Sequence, residues 1–208
     1  IKVLEYCDDP KITNLFRDLE VYAEYISIFL HGSYADRTTT KFSDIDDFII
    51  IDLKKIRERK LERDIFKILN KIDMKFCSID PLQHHGHWIT SNDELNDYDN
   101  SFIPLFIIKS SKIVLGKNNF INAKINLKKT KKGLAKNLNL TCKNILFLFC
   151  KLKENRINAY ELKSLIGSFA LIPAFLFQLK GYRYSKSKSI NLSSEIFSRQ
   201  AFLCILWA

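Results

Sequence analysis

The feature that most constrains this chain is an apolar, strand-forming run that begins at closely spaced carboxylates. Residues 44–52 read DIDDFIIID, so four large apolar side chains follow one another directly after the aspartates. Such a run, rich in Ile and Phe, predicts a strand over residues 45–52 that is buried on both faces. Because residues i and i+2 of a strand point to the same face, we expect Asp44 and Asp46 to project together from its start.

The carboxylate pair indicates a site for divalent cations. Two carboxylates held this close repel each other, and they become favourable when a hard cation lies between them; Mg²⁺ prefers one or two carboxylates together with substrate phosphates. Gly32 and Ser33 precede the pair. Glycine lets the backbone approach a phosphate closely, exposed backbone N–H groups bind anionic oxygens, and the Ser33 hydroxyl can add a hydrogen bond. The combination predicts phosphoryl or nucleotidyl transfer.

A site with two metal ions needs a third ligand on the side of the attacking group, and the candidate is Asp80. Residues 74–79 are predicted as a further strand, which ends at Asp80 and Pro81. If that strand neighbours residues 45–52, Asp80 lies beside the pair, where it can bind the second ion and accept the proton of an acceptor hydroxyl. Asp47 and Asp52 are interpreted as solvated or structural.

The order of predicted elements changes in character near residue 118. The first part mixes helices with strands, and after a Lys- and Asn-rich linker over residues 118–132 only helical patterns follow. This order predicts an α+β catalytic half, residues 1–118, and an all-helical half, residues 119–208. Helices are predicted at 11–25, 54–71, 134–151, 157–180 and 190–206, strands at 26–30, 45–52, 74–79, 103–109 and 112–115, and a polar segment at 84–100.

The two halves also differ in charge. Residues 1–118 carry 17 Lys and Arg against 20 Asp and Glu, a net charge of −3, whereas residues 119–208 carry 16 against 3, a net charge of +13. A strongly basic half is typical of a surface for polyanions such as RNA or nucleotide phosphates. Plain solubility of a Lys-rich chain is the alternative.

Cysteine usage and hydropathy indicate the compartment. The five cysteines are scattered and form no CxxC pair, which favours reduced thiols in a cytoplasmic protein. Both ends of the sequence look trimmed, and no signal peptide is visible. The longest uncharged apolar run, between Lys163 and Lys180, contains Pro173 and is short for a membrane span, so we expect a buried core helix and no membrane association.

The string GSYADRTTTKFSDID, residues 32–46, resembles the signature of the DNA polymerase β-like nucleotidyltransferase superfamily, especially its small prokaryotic members. The string FIIKSSKIVLGK, residues 106–117, is similar to the strand-turn-strand that often closes the catalytic domain there. The resemblance covers residues 11–118 well and is general beyond them. It implies a mixed sheet with flanking helices, followed by a helical substrate-binding domain.

The resemblance also implies an activity and roles for single residues. A nucleoside monophosphate would pass from an NTP, ATP in the first place, to an acceptor hydroxyl, with two Mg²⁺ ions and release of pyrophosphate. The residues expected to bind nucleotide are Gly32, Ser33, Arg37, Ser43 and Lys163, and those expected to bind metal and carry out catalysis are Asp44, Asp46 and Asp80. The sequence departs from the family at Arg37-Thr38, where small members often have Arg-Gly.

Several other residues keep alternative interpretations. His84, His85 and His87 could bind zinc, contact substrate or belong to a structural loop, and no cysteine lies at a spacing suited to zinc. In the helical half, Lys136 and Lys143 are further candidates beside Lys163 for neutralising phosphate. A basic-aromatic cluster could stack a base or simply cover a loop; it consists of Tyr182, Tyr184 and Lys186.

The acceptor stays open between several classes. The basic half favours RNA or a nucleotide and speaks against polycationic aminoglycosides, although lincosamide-type antibiotics are not excluded. A protein partner is the third possibility, because minimal members of the family modify RNases in toxin–antitoxin pairs. The helical half is not such an RNase itself, since those need an Arg followed closely by His, and no His follows His87. A non-catalytic RNA-binding protein would have no physical reason to keep the carboxylate pair.

Overall fold

The computed structural model describes residues 10–37, 39, 43–80, 82–83, 86–96, 98, 110–117, 127–195 and 197–198. The chain divides into two compact units, which are described separately. One unit is formed by Ile1–Asp97 and Ser111–Ile125, and the other by Tyr98–Ser110 and Asn126–Ala208. The division into domains at residues 118 and 119 stays a prediction.

The first unit mixes helices and strands, as predicted. Its helices are α1 (Pro10–Leu15), α2 (Gly32–Asp36), α3 (Leu53–Glu58), α4 (Glu62–Ile79) and α5 (Asn92–Asn96), with a 3-10 helix at Arg17–Tyr22. Its strands are β1 (Ile26–His31), β2 (Asp46–Ile51), β3 (Trp88–Ser91) and β4 (Lys112–Leu115). The predicted strands at 26–30, 45–52 and 112–115 are thereby confirmed, and the one at 103–109 lies outside the described residues.

The strands form one mixed sheet in the order β3-β2-β1-β4. Strand β1 runs antiparallel to β2 and β4, whereas β2 and β3 are parallel. The register of the central pair sets Phe29 opposite Phe48 and His31 opposite Asp46. Residues two positions apart on a strand point to the same face, and directly paired residues share a face. Phe48 and Asp46 therefore lie on the same side of the sheet, together with Phe29 and His31.

The two faces of the sheet have different cores. On one face, Ile28, Leu30, Ile49 and Ile51 pack in a single apolar cluster with side chains of α1, the 3-10 helix and α4. On the other face, the ring of Phe48 stacks on Phe29 with centroids 4.8 Å apart and meets Trp88 at 5.2 Å. A strand covered on both faces needs the unbroken apolar run that the sequence shows.

Two predictions about residues 54–100 are wrong. Residues 74–79 are the last turns of α4 and not a strand, because Ile65, Leu69, Ile72 and Phe76 recur at helical spacing and are buried together, while Met74 is 74% exposed. The predicted helix at 54–71 is two helices, separated at Lys60, which has a positive φ of 56°. The strand that pairs with β2 on the side away from β1 is β3, which lies within the segment predicted as polar.

The second unit is helical, as predicted. It contains α6 (Leu127–Lys153), α7 (Ala159–Leu179), α8 (Lys186–Asn191) and a 3-10 helix at Ser193–Glu195. The predicted linker is wrong for residues 127–132, which belong to α6, and the helix predicted at 190–206 is not continuous. Helices α6 and α7 pack through Ile145, Leu148 and Leu165, and Lys151 forms an ion pair with Glu161. The segment 199–208 lies outside the described residues.

The length and hydropathy of helix α7 bear on the prediction that the chain does not associate with a membrane. Among the described residues, α7 is the helix that is long and apolar enough to cross a membrane, a test that core helices of soluble proteins also pass. Pro173, Ala174 and Phe175 of this helix are buried, but only 39% of its apolar stretch is buried, so the expectation of a core helix without membrane association stays a prediction. Cys77, Cys142 and Cys150 are free thiols. The cytoplasmic location stays a prediction.

The buried side chain of His87 links strand β2 to helix α4 through hydrogen bonds. The side chains of His87 and Asp47 are 3% and 1% exposed, and His87 Nδ1 lies 2.6 Å from Asp47 Oδ2. His87 Nε2 lies 3.0 Å from the carbonyl oxygen of Leu69, and since a carbonyl only accepts, Nε2 must donate. Burial lowers the pKa of His87, but the hydrogen bond and charge of Asp47, with the charge of Asp73, outweigh it, and the pKa is raised.

This pair predicts a pH dependence of stability. A histidine whose pKa is raised on folding contributes stability that is complete below its ordinary value of 6.5 and is lost as pH rises through the folded value. Burial raises the pKa of Asp47 by more than the hydrogen bond and charge of His87 lower it. A carboxyl group whose pKa is raised on folding also loses its contribution to stability as pH rises, so Asp47 acts in the same direction as His87. We expect the free energy of unfolding to fall as pH rises above 6.5, measured by urea denaturation.

The double variant Asp47→Asn/His87→Asn is the matched control, because it removes both titrating groups and leaves two side chains that can hydrogen-bond to each other. Its free energy of unfolding should lack that part of the pH slope. All other titrating groups are the same in the two proteins. Parallel slopes for wild type and variant would show that the pair is not charged in the way described.

Candidate active site

The two aspartates flank a buried residue at the start of β2. Asp46 is the first residue of the strand and Asp44 lies two positions earlier, and both side chains are half-buried. Ile45 between them is fully buried in the core that faces α4. Because Ile45 points into the protein, its two neighbours are directed away from that core. This arrangement supports the projection predicted from the sequence.

The backbone at Ile45 is held by Gln83, a residue outside the predicted site. The side-chain amide of Gln83 accepts from Ile45 N–H at 3.1 Å and donates to Ile45 C=O at 3.1 Å. Gln83 thus makes the two hydrogen bonds that a neighbouring strand would make, one residue before β2 begins. It fixes the backbone between the two carboxylates. No sequence signal marks this contact, which joins residues 38 positions apart.

Asp80 shapes the turn that carries Gln83. The predicted strand before it is absent, and Asp80 instead caps the C-terminus of α4 and is 4% exposed. Its Oδ1 accepts from Leu82 N–H at 2.9 Å, and its carbonyl accepts from Gln83 N–H at 2.9 Å. The part of the chain that the structure describes contains no group of three His, Cys, Asp or Glu that could hold a metal ion. Asp80 is therefore not gathered with Asp44 and Asp46 into one metal group.

The strand beside the carboxylates offers no replacement for a third acid. Strand β3 runs parallel to β2 with Trp88 opposite Phe48, so the segment that leads into β3 lies at the same end as Asp46. Residues 81–91 contain no Asp or Glu. The chain therefore departs here from the expected pattern of an acid on a later strand.

Gly32 lies directly against Asp46. Its φ is +63°, a left-handed conformation that glycine adopts without strain. A Cβ atom at this position would overlap Oδ2 of Asp46. The glycine is therefore required for two reasons, the backbone conformation and the room for the carboxylate. It brings the backbone at the start of α2 next to the proposed metal ligand.

The other predicted nucleotide ligands are distributed over both units. Ser33 is half-buried on α2, and its carbonyl accepts from the N–H of Arg37, an exposed residue with a positive φ of 56° that ends the helix. Ser43 is half-buried directly before Asp44. Lys163 lies half-buried on α7 in the second unit. Their roles stay predictions, as do those of Lys136 and Lys143.

The histidines divide into one structural residue and two outside the described part. Both ring nitrogens of His87 are engaged, one with Asp47 and one with Leu69, so neither is left to bind zinc. His87 is part of the fold. His84 and His85 lie outside the described residues.

The residues at the start of β2 fit a magnesium ion. Mg²⁺ takes oxygen ligands, commonly one or two carboxylates plus substrate phosphates. Asp44 and Asp46 supply such carboxylates in half-buried positions, and the missing side chain of Gly32 leaves the room that Asp46 Oδ2 occupies. The two carboxylates would leave the other coordination positions of the ion to phosphate oxygens of the substrate.

The family of this site is shown by comparison. Residues 12–86 match the family model of the nucleotidyltransferase domain, which spans α1 to the approach of β3 and includes Gly32, Asp44 and Asp46. The chain thus contains a nucleotidyltransferase domain of the polymerase β-like type and is an enzyme of the nucleotidyltransferase class. The resemblance drawn from the sequence is confirmed.

A solved structure has the same fold. The spectinomycin adenyltransferase AAD(9) from Enterococcus faecialis, crystallised with ATP and spectinomycin, matches with a TM-score of 0.50 and 13% sequence identity. The match covers 95% of this chain and 87% of that chain. At this identity the likeness supports the fold: a mixed sheet with flanking helices and a helical C-terminal region. No curated protein matches the sequence significantly.

Replacing Gly32 tests the contact with Asp46. Gly32→Ala places a side chain in a left-handed conformation, which costs about 1–2 kcal/mol, and also displaces the Asp46 carboxylate. We expect a lower melting temperature and, beyond it, a loss of nucleotidyl transfer of at least about tenfold.

Gly181→Ala is the matched control for this variant. Gly181 also has a positive φ, of 91°, but nothing lies within 4 Å of a Cβ placed there. It should lower the melting temperature and leave the binding of ATP with Mg²⁺ unchanged, whereas Gly32→Ala should weaken that binding. Equal binding of ATP by the two variants at a temperature where both are folded would contradict the role given to Gly32.

The Asp80→Asn variant tests whether Asp80 only organises the turn that carries Gln83 or also acts in catalysis. Asn keeps the oxygen that accepts from Leu82 N–H, so the turn should hold and transfer should fall by less than about tenfold. Gln83→Ala removes both hydrogen bonds to Ile45 and should reduce transfer more. A general base would behave otherwise, since its removal costs about 10²- to 10⁴-fold. Such a loss in a stable Asp80→Asn protein would restore Asp80 as the third acid.

Proposed function

We propose that this chain is a Mg²⁺-dependent nucleotidyltransferase that moves a nucleoside monophosphate from an NTP, ATP in the first place, to a hydroxyl of an anionic acceptor, either RNA or a nucleotide. The observation that carries the proposal is the placement of Asp44 and Asp46 on either side of buried Ile45, with Gly32 packed against Asp46. The family match and the likeness to an adenyltransferase crystallised with ATP support it.

Each residue has a role in the proposed reaction. Asp44 and Asp46 would hold two Mg²⁺ ions, which when bound neutralise the charge of the triphosphate. Gly32 admits the triphosphate close to the backbone, and the hydroxyls of Ser33 and Ser43 donate to its oxygens. Arg37 contributes a guanidinium from the exposed end of α2. Gln83 and the Asp80 turn keep the carboxylates in place and do not touch the substrate.

Charge favours an anionic acceptor. Residues 119–208 hold 16 Lys and Arg against 3 Asp and Glu, and a surface of this kind attracts polyanions and repels polycations. The rival acceptor is an antibiotic, which the adenyltransferase of similar fold supports through the spectinomycin in its crystals. A protein side chain of a toxin–antitoxin partner is a third acceptor class. We propose a cytoplasmic location, in keeping with the free thiols.

The reaction is tested by incorporation from the four α-³²P-labelled NTPs with Mg²⁺. Total RNA, nucleotides alone, and an aminocyclitol and lincosamide panel serve as separate acceptors. We expect label from ATP on RNA or on a nucleotide. Asp44→Asn and Asp46→Asn should each reduce transfer by more than about 100-fold, because each removes one carboxylate from the metal site.

Asp52→Asn is the matched control. Asp52 lies just past the other end of β2 and caps α3 by accepting from Lys55 N–H, a role that Asn fills equally well. It should transfer at the wild-type rate. ATP with Mg²⁺ should also raise the melting temperature of the wild type and not of Asp46→Asn. Label on an antibiotic alone would replace the anionic acceptor, and absence of both transfer and ligand-induced stabilisation would refute the metal site.

A further inference from the structure

Two tyrosines after α7 form an exposed aromatic stack. The rings of Tyr182 and Tyr184 lie nearly parallel, with centroids 5.3 Å apart and 19° between their planes. Lys188 Nζ lies 4.5 Å from the centroid of the Tyr184 ring. Tyr184 is half-buried, whereas Tyr182 is 49% exposed. The structure thus brings together Tyr182 and Tyr184 of the predicted basic-aromatic cluster, and the cation that it places over a ring is Lys188.

Hydrogen bonds and ring packing at the end of α7 set the position of Tyr182. Gly181 adopts a φ of 91° and donates to Gln178 C=O, and Tyr182 N–H donates to Phe177 C=O, both at 2.9 Å. This hydrogen-bond pattern is a Schellman motif, in which an apolar contact accompanies the turn. Phe177 supplies that contact through edge-on packing against both tyrosine rings, at 5.8 Å and 5.1 Å. The apolar contact explains a large side chain at position 182, but any large apolar residue would satisfy it.

The chain around the stack is basic and free of acids. Residues 180–188 read KGYRYSKSK, four cations in nine positions, and no Asp or Glu occurs between Glu161 and Glu195. Lys180, Arg183 and Lys188 are exposed. A flat exposed ring among cations matches the two components of a single nucleic-acid strand, its bases and its phosphates. Aminocyclitols and lincosamides have no flat ring to stack, and an acidic protein segment would need only the charge.

We propose that Tyr182 is a stacking platform for a base of single-stranded nucleic acid, whose phosphates lie along Lys180, Arg183 and Lys188. As the place where an RNA acceptor is bound, the platform rests on the proposed function. As a binding site, it stands on the second unit alone. Rigid aromatic rings suit this task because stacking tolerates any base and because a ring already fixed by packing loses little entropy on binding.

The test is fluorescence anisotropy of the full chain with a 5′-labelled 12-nucleotide single-stranded RNA, without NTP or Mg²⁺. Tyr182→Leu keeps the apolar contact with Phe177 and removes the ring, whereas Tyr182→Phe keeps both. We expect Tyr182→Phe to bind like wild type and Tyr182→Leu to bind about 5- to 150-fold more weakly. Equal melting temperatures of the two variants show that folding is not the cause.

An abasic strand of equal length supplies the same phosphates without bases. It should bind more weakly than the RNA and equally well to wild type and Tyr182→Leu. The proposal is overturned if Tyr182→Leu binds the RNA as tightly as wild type, or if the abasic strand binds as tightly as the RNA. Binding is measured without turnover, so a failure of nucleotidyl transfer leaves this result intact, and transfer to a nucleotide without RNA binding would refute only the platform.

Discussion

The burial of Ile45 between two outward-directed aspartates is the constraint on which the candidate site depends. A strand has two faces, and a slip of one residue in the register of β2 would place the carboxylates in the apolar core and Ile45 in their position. The register is set by pairing with β1, which places His31 opposite Asp46, and by Gln83, which occupies both hydrogen-bonding groups of Ile45. The geometry of the site is thus a property of the sheet and its neighbouring turn.

The parts that could be predicted from the sequence are those written in consecutive residues. An apolar run of Ile and Phe must be a buried strand, and an aspartate on each side of Ile45 must then point away from the core, as the structure shows. The sequence predicts a glycine at position 32 for the close approach of a phosphate, and the structure adds the contact of its backbone with the Asp46 carboxylate. At the start of β2 the local sequence pattern and the tertiary contacts favour the same structure, so the strand and the direction of its aspartates could be predicted.

The prediction failed where long-range contacts decide the structure. Residues 74–79 alternate in polarity like a strand, but Phe76 belongs to the buried face of a helix that began at Glu62. Once α4 extends to Ile79, the strand beside β2 has to come later, and β3 was hidden because a four-residue strand carries little periodicity. The contact of Gln83 with Ile45 depends on that arrangement, and no local pattern encodes it.

Asp80 illustrates what this difference means for mechanism. A carboxylate that accepts a backbone N–H and is 4% exposed organises the turn that carries Gln83, and a part of Asp80 in catalysis stays a prediction. In the proposed function the chemistry rests on Asp44 and Asp46, and the choice of acceptor would fall to other residues. In that proposal the exposed ring of Tyr182, in an acid-free and basic stretch of the helical unit, suits this choice, because bases and phosphates distinguish nucleic acid from an antibiotic such as the spectinomycin crystallised with the adenyltransferase of similar fold.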